Sequence, residues 1–131
     1  MTNFAARTKV PIEKTKMELE RLVRRYGAKG FIAGWQGQNG VVEFLAHERH
    51  LRFSVTILNS DSDQAGRQKW RALLLVIKAK LESVDAKIVT FEQAFVGDIV
   101  MPGGKTVWEQ IHEPIRLAYQ GKNVALLESP R

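Results

Sequence analysis

The chain has 131 residues, about one domain, and its 44% hydrophobic and 26% charged residues exclude both a disordered low-hydrophobicity segment and an integral membrane protein. With no cysteine, disulfide frameworks, thiolate zinc sites, thiol catalysis and cysteine-ligated iron–sulfur clusters are excluded together. Lysine and arginine outnumber aspartate and glutamate by 20 to 14, and the excess is uneven: residues 1–82 carry 15 basic and 8 acidic side chains, residues 83–131 carry 5 and 6.

That asymmetry predicts a polyanion-binding section followed by a packing or partner-binding layer. The apolar runs fall short of the roughly 20 residues of a membrane span, and the start lacks the uninterrupted apolar core of a signal peptide, so the expected address is cytoplasmic, with no membrane partner.

Residues 1–9 show no period and read as a mobile basic arm through Arg7 and Lys9. A single domain over residues 10–119 and a tail over 120–131 follow. Pro11 suits a first helical turn, and Ile12, Leu19, Leu22, Val23 and Tyr26 then keep helical spacing up to Gly27, a ready C-cap. On the opposite side Lys14, Arg21 and Arg25 share one face, with Arg24 alongside.

From Gly30 to Leu58 the period drops to two. Phe31, Ala33 and Trp35 alternate, then Val42, Phe44 and Ala46, then Leu51, Phe53, Val55 and Ile57, which predicts a three-stranded antiparallel meander. The first turn is expected at Gly37-Gln38-Asn39-Gly40 through its Asn-Gly pair. Arg52, Ser54 and Thr56 are expected on the polar face.

After the acidic loop Asn59–Asp63, the stripe Trp70, Leu73, Leu74, Ile77, Leu81 and Val84 predicts a long helix over about 64–84, with Arg67, Lys69, Arg71, Lys78 and Lys80 on its polar side. Thr90 with Gln93, and Thr106 with Glu109, have capping-box spacing and mark two short helices. The first carries Phe91, Ala94, Phe95 and Ile99; the second carries Val107, Trp108, Ile111, Ile115 and Ala118 and should kink or split at Pro114. The fold class is therefore α+β: helix, antiparallel meander, long helix, two short helices.

Chemistry-bearing motifs are weak. Gly103-Gly104-Lys105-Thr106 has the end of a P-loop, but Ile99 occupies the place of its first glycine and no strand precedes it, so a turn and helix cap is the better reading. His47-Glu48-Arg49-His50 is one residue short of the HExxH zinc spacing and falls at a strand turn, so no metal and no cofactor are expected. Catalytic residues are likewise unassigned: there is no nucleophile-elbow GxSxG and no acid–base pair with recognisable spacing. Trp70 reads as core, and Trp35 as core or exposed beside its hairpin.

The element order helix, three strands, long helix resembles double-stranded-RNA-binding domains and the core of single-strand annealing proteins over residues 11–84. It lacks the paired-lysine, alanine-rich pattern of the former. Gln68–Leu73, Val76–Glu82 and Gly104–Val107 with Trp108 close behind resemble a family of small uncharacterised proteins of tailed phages and prophages, over Val10 to about Tyr119. That resemblance implies a bacterial host cell as setting and transfers no catalytic residue.

The resulting expectation is a non-enzymatic protein that engages phosphate backbones, DNA ahead of RNA and single-stranded DNA in particular, in phage replication or recombination. Lys14, Arg21, Arg24, Arg25, Arg52, Arg67, Lys69, Arg71 and Lys78 are the candidate contacts. One alternative is an interaction module or host-factor inhibitor whose C-terminal helices bind a host or phage protein around Phe95, Trp108 and Ile111. Another is a double-stranded-RNA-binding-like domain. A second copy of the chain is a further expected partner.

Overall fold

The longest apolar stripe in the chain organises the molecule. In the computed structural model, which describes residues 10–121, the order is α1 (Ile12–Arg25), β1 (Gly30–Gln36), β2 (Asn39–Ala46), β3 (Arg49–Val55), α2 (Asp63–Asp85), α3 (Phe91–Phe95), a 3-10 turn (Val96–Asp98) and α4 (Val107–Gly121). This is the expected α+β order. The arm expected at 1–9 and most of the tail expected at 120–131 lie outside the described residues; residues 120 and 121 belong to α4.

Ser62 starts α2 by accepting a hydrogen bond from the Ala65 amide, which satisfies one of the helix's unpaired first-turn donors. Trp70, Leu74, Ile77 and Leu81 are its buried residues together with Gly66, and each large apolar side chain contributes about 1.5–3 kcal/mol of burial. Against them α1 sets Leu19, Leu22 and Val23. It ends at Gly27, whose φ of +98° lets the Ala28 amide reach the Val23 carbonyl at 2.9 Å.

The two helices run parallel. Ile12 lies beside Gly66, Glu18 pairs with Arg71, and Arg25 shares a groove with Lys78. Both cover one face of the sheet β1-β2-β3, which is antiparallel throughout with Phe31 opposite Phe44 and Val42 opposite Phe53. Val42, Phe44, Ala46, Leu51, Phe53 and Val55 point inward, while Glu43, Leu45, Arg52 and Ser54 alternate outward.

The first hairpin differs from expectation. Gln36 pairs with Asn39, so the two turn residues are Gly37 and Gln38, and Asn39-Gly40 already belongs to β2. Positive φ occurs at Gly37, +63°, where a glycine accepts it freely. Side chain and backbone both anchor Asn39 there: its Oδ1 accepts from the Ile57 amide at 3.1 Å.

Both capping boxes form. Thr90 and Gln93 exchange hydrogen bonds of 2.8 and 3.1 Å, and Thr106 and Glu109 exchange bonds of 2.7 and 3.2 Å. Between them, α3 drives Phe91 and Phe95 under the sheet. Phe95 meets Phe44 and Phe53 edge-on at 6.4 and 6.1 Å, a favoured aromatic geometry. Ile99 then bridges to Leu51 on the outer edge of β3, and the Val100 amide reaches the His50 carbonyl at 2.8 Å.

The last helix is not split at Pro114. α4 runs 15 residues through Pro114 without interruption. Among the described residues no helix is long and apolar enough to cross a membrane.

Candidate nucleic-acid interface

Because α1 and α2 run parallel, their polar edges lie side by side. Between them is an open groove of about 340 Å³ lined by Arg21 and Arg25 from α1 and by Arg71 and Lys78 from α2. Its floor is Leu22, Leu74 and Leu75, and its one carboxylate is Glu18. Glu18 holds Arg71 at 2.6 Å. Arg21 and Lys78 are exposed and make no ion pair with another described residue, and Arg25 lies 6.0 Å from the Tyr26 ring.

Seven residues of helix span about 10 Å, the distance from Arg71 to Lys78 along α2. A single strand with B-form rise places about three phosphates in that length. The groove thus offers Arg21, Arg25 and Lys78 to roughly three phosphates, with apolar side chains beneath. None of its lining residues is aromatic, so the groove has no platform for base stacking and presents charge alone.

The nine expected contacts divide by what the folded chain does with them. Arg21, Arg25, Arg71 and Lys78 meet in the groove. Lys14 is exposed two helical turns before Arg21 on the same face of α1, outside the groove lining. Arg24 is held by Glu20 at 2.8 Å.

Arg52 is taken up structurally. Its Nη1 donates to the Gly104 carbonyl at 2.7 Å and its Nε lies 3.4 Å from Glu43, which also pairs with His50. Lys69 ties the acidic loop to the end of β3: its Nζ lies 2.6 Å from Asp61 and 2.8 Å from the Thr56 carbonyl. That bond and one from the Leu58 amide hold the Asp61 carboxyl below its usual range. Arg67 donates to Gln64 at 2.9 Å and lines a hollow with Asp61 and Asp63. The basic start of α2 is therefore matched by acids of the preceding loop, and the useful cations lie one to four turns further on.

The C-terminal residues divide as well. Phe95 is fully buried and serves the core, which removes it from any contact surface, whereas Trp108 and Ile111 are 57% and 40% exposed. Trp70 is buried as expected, and Trp35, half exposed, meets it edge-on at 6.0 Å.

Among the described residues no group of histidines and acids could hold a metal ion. His47 stacks on Phe91 at 4.1 Å, while His50 pairs with Glu43 on the outer face of the sheet. The Gly103–Thr106 segment is a turn closed by a bridge from Val100 to Thr106, and Thr106 caps α4.

Sequence reasoning missed Glu18. Its spacing to Arg21 and Arg25, three and seven residues, places it on their face; its partner Arg71 lies 53 residues away, beyond any local period. Compared with known proteins, no family model matches the chain, and no curated protein or solved structure matches it at the significance required.

Proposed function

We propose that the chain is a non-enzymatic binding protein that engages nucleic-acid phosphate backbones without reading sequence, through the groove between α1 and α2. The observation that carries this reading is the meeting of Arg21, Arg25, Arg71 and Lys78, from two helices separated in sequence by the whole sheet, along one groove with one opposing carboxylate. The overall charge of +6 adds long-range attraction. Single-stranded DNA is the ligand proposed first, in phage replication or recombination, in keeping with the residues that resemble phage proteins.

The test is fluorescence anisotropy with labelled single-stranded DNA, duplex DNA and duplex RNA of equal length at two salt concentrations. Replacing Arg21, Arg25 and Lys78 by alanine removes up to three phosphate contacts and should lower the log–log salt slope by about 2–3. Replacing Lys29, Lys87 and Lys105, which lie outside the groove, matches the loss of charge. Equal effects of the two triple variants would reduce the binding to net charge and remove the groove from the account.

A further inference from the structure

The described residues begin at Val10, where α1 meets α2: Ile12 lies beside Gly66. Residues 1–9 therefore join the body at the upper mouth of the crevice between the two helices.

That junction is acidic. Pro11 and Ile12 line a hollow of about 370 Å³ whose charged residues are three carboxylates, Glu13, Asp61 and Asp63, against one cation, Arg67. Glu13 is paired with Lys16 and Asp61 with Lys69, whereas Asp63 is exposed and has no ion pair with another described residue. The segment that enters here carries Arg7 and Lys9 and no acid, so opposite charges meet at the junction.

Below it, Gln64, Gln68 and Arg71 follow one another at spacings of four and three residues, which sets them in one row on α2. All three are half-buried, while Ala72, Val76 and Ala79, further round the helix, are exposed. Val10 and each member of the row make a polar or ring contact besides the Gln64–Arg67 bond and the Arg71–Glu18 pair. These four residues form a track that starts at the junction and ends at Arg71, on the edge of the cationic groove.

We propose that this track is the seat of the chain's own residues 4–9, which run along α2 from Gln64 to Arg71. The track measures about 10 Å of helix, and six extended residues reach up to about 20 Å, so the segment spans it without strain. Its chemistry matches the row. An extended segment brings backbone N–H and C=O groups that need partners, and a glutamine side chain both donates and accepts, so Gln64 and Gln68 suit that backbone. Arg71 gives Glu18 an edge of its guanidinium, and the planar face of such a group is a stacking surface for an aromatic ring. Phe4 is the one aromatic residue of the segment. Seated this way, the segment covers Arg71, already matched by Glu18, and leaves Arg21, Arg25 and Lys78 open below it. The inference does not rest on nucleic-acid binding, and its test uses no nucleic acid.

The chain contains no cysteine, so Ala5→Cys places a single nitroxide on the segment. In the isotope-labelled full chain, the amide resonances of Gln68 and Arg71 should then lose most of their intensity. Those of Ile32 and Leu45, on the outer face of the sheet, should keep theirs. Gln64→Ala with Gln68→Ala removes the seat without touching the buried side of α2, and should restore the Arg71 resonance, with circular dichroism to verify folding. Phe4→Ala should restore it in part. A uniform or absent loss, a loss confined to residues around Trp35, or an Arg71 resonance that the double variant leaves unchanged would each overturn the proposal. The same loss in a labelled chain mixed with a nitroxide-bearing unlabelled one would overturn it too, because the segment would then lie on a second copy.

Discussion

Gly40 and Trp70 are fitted to each other across the sheet–helix interface. A Cβ on Gly40 would stand 2.9 Å from Cε2 of the Trp70 ring and closer still to Cζ2, and Trp70 is fully buried. The glycine is there because the indole lies flat where a side chain would be, with backbone φ playing no part. Gly40→Ala should therefore cost about 1–3 kcal/mol, the range for overpacking a close-packed core. Urea unfolding would measure it. Combining it with Trp70→Phe, which shortens the ring, should cost less than the two single changes added together, because the pair shares one contact.

That match also marks what was legible in the sequence. The stripe of α2, the three alternating strands and both threonine caps follow from local spacing, and all three form. Asn39-Gly40 read as a turn because its residue types suit one; tertiary contact overrode them, since Gly40 is needed under Trp70 and Asn39 holds the Ile57 amide. The stripes holding Phe95 and Ile111 look alike in sequence. Periodicity identifies an apolar side and says nothing of what covers it, so one proved core and the other exposed. For the same reason Lys69 and Lys78 were indistinguishable as candidate contacts until the Asp61 loop closed on one of them.

Glu18 limits the groove's charge. Glu18→Gln removes the carboxylate that pairs with Arg71 at 2.6 Å and adds one net positive charge to the lining. Under the proposed function, DNA affinity at low salt should rise several-fold and the salt slope should steepen by up to about 0.9, the value of one added phosphate contact. Thermal stability should fall slightly, because a half-buried guanidinium loses a partner. Unchanged affinity in the folded variant would place the nucleic acid elsewhere.

The β2–β3 turn stores strain. Its two residues, His47 and Glu48, both have left-handed backbones, φ of +52° and +60°, at about 1–2 kcal/mol each for a residue with a Cβ. The Glu48 side chain makes no bond to another described residue, whereas His47 stacks on Phe91. Glu48→Gly should accordingly raise stability by about 1 kcal/mol, and His47→Gly should be closer to neutral because relief of strain is offset by the lost stack. Denaturant midpoints of the two variants separate these effects. Equal gains would mean that the stack on Phe91 contributes nothing.

Two aspartates should give opposite pH signatures. Asp61 has its carboxyl lowered from 3.8 by the Lys69 and Leu58 hydrogen bonds. Its stabilising contribution is thus fully present above about 3.8 and is lost as pH falls through the lowered folded value. Asp98 is raised from 3.8 because burial disfavours its charge, only partly opposed by Lys80 at 3.6 Å. The folded chain holds that proton more tightly than the unfolded chain, so the group's effect on stability turns unfavourable as pH rises from 3.8 through the raised value. The deficit of Asp61→Asn relative to wild type should therefore be largest near neutral pH and shrink in acid. The stability of Asp98→Asn relative to wild type should instead increase from acid toward neutral. Thermal unfolding of the three proteins across this range reads both slopes, and parallel curves for wild type and Asp61→Asn would mean that Lys69 does not hold the loop in solution.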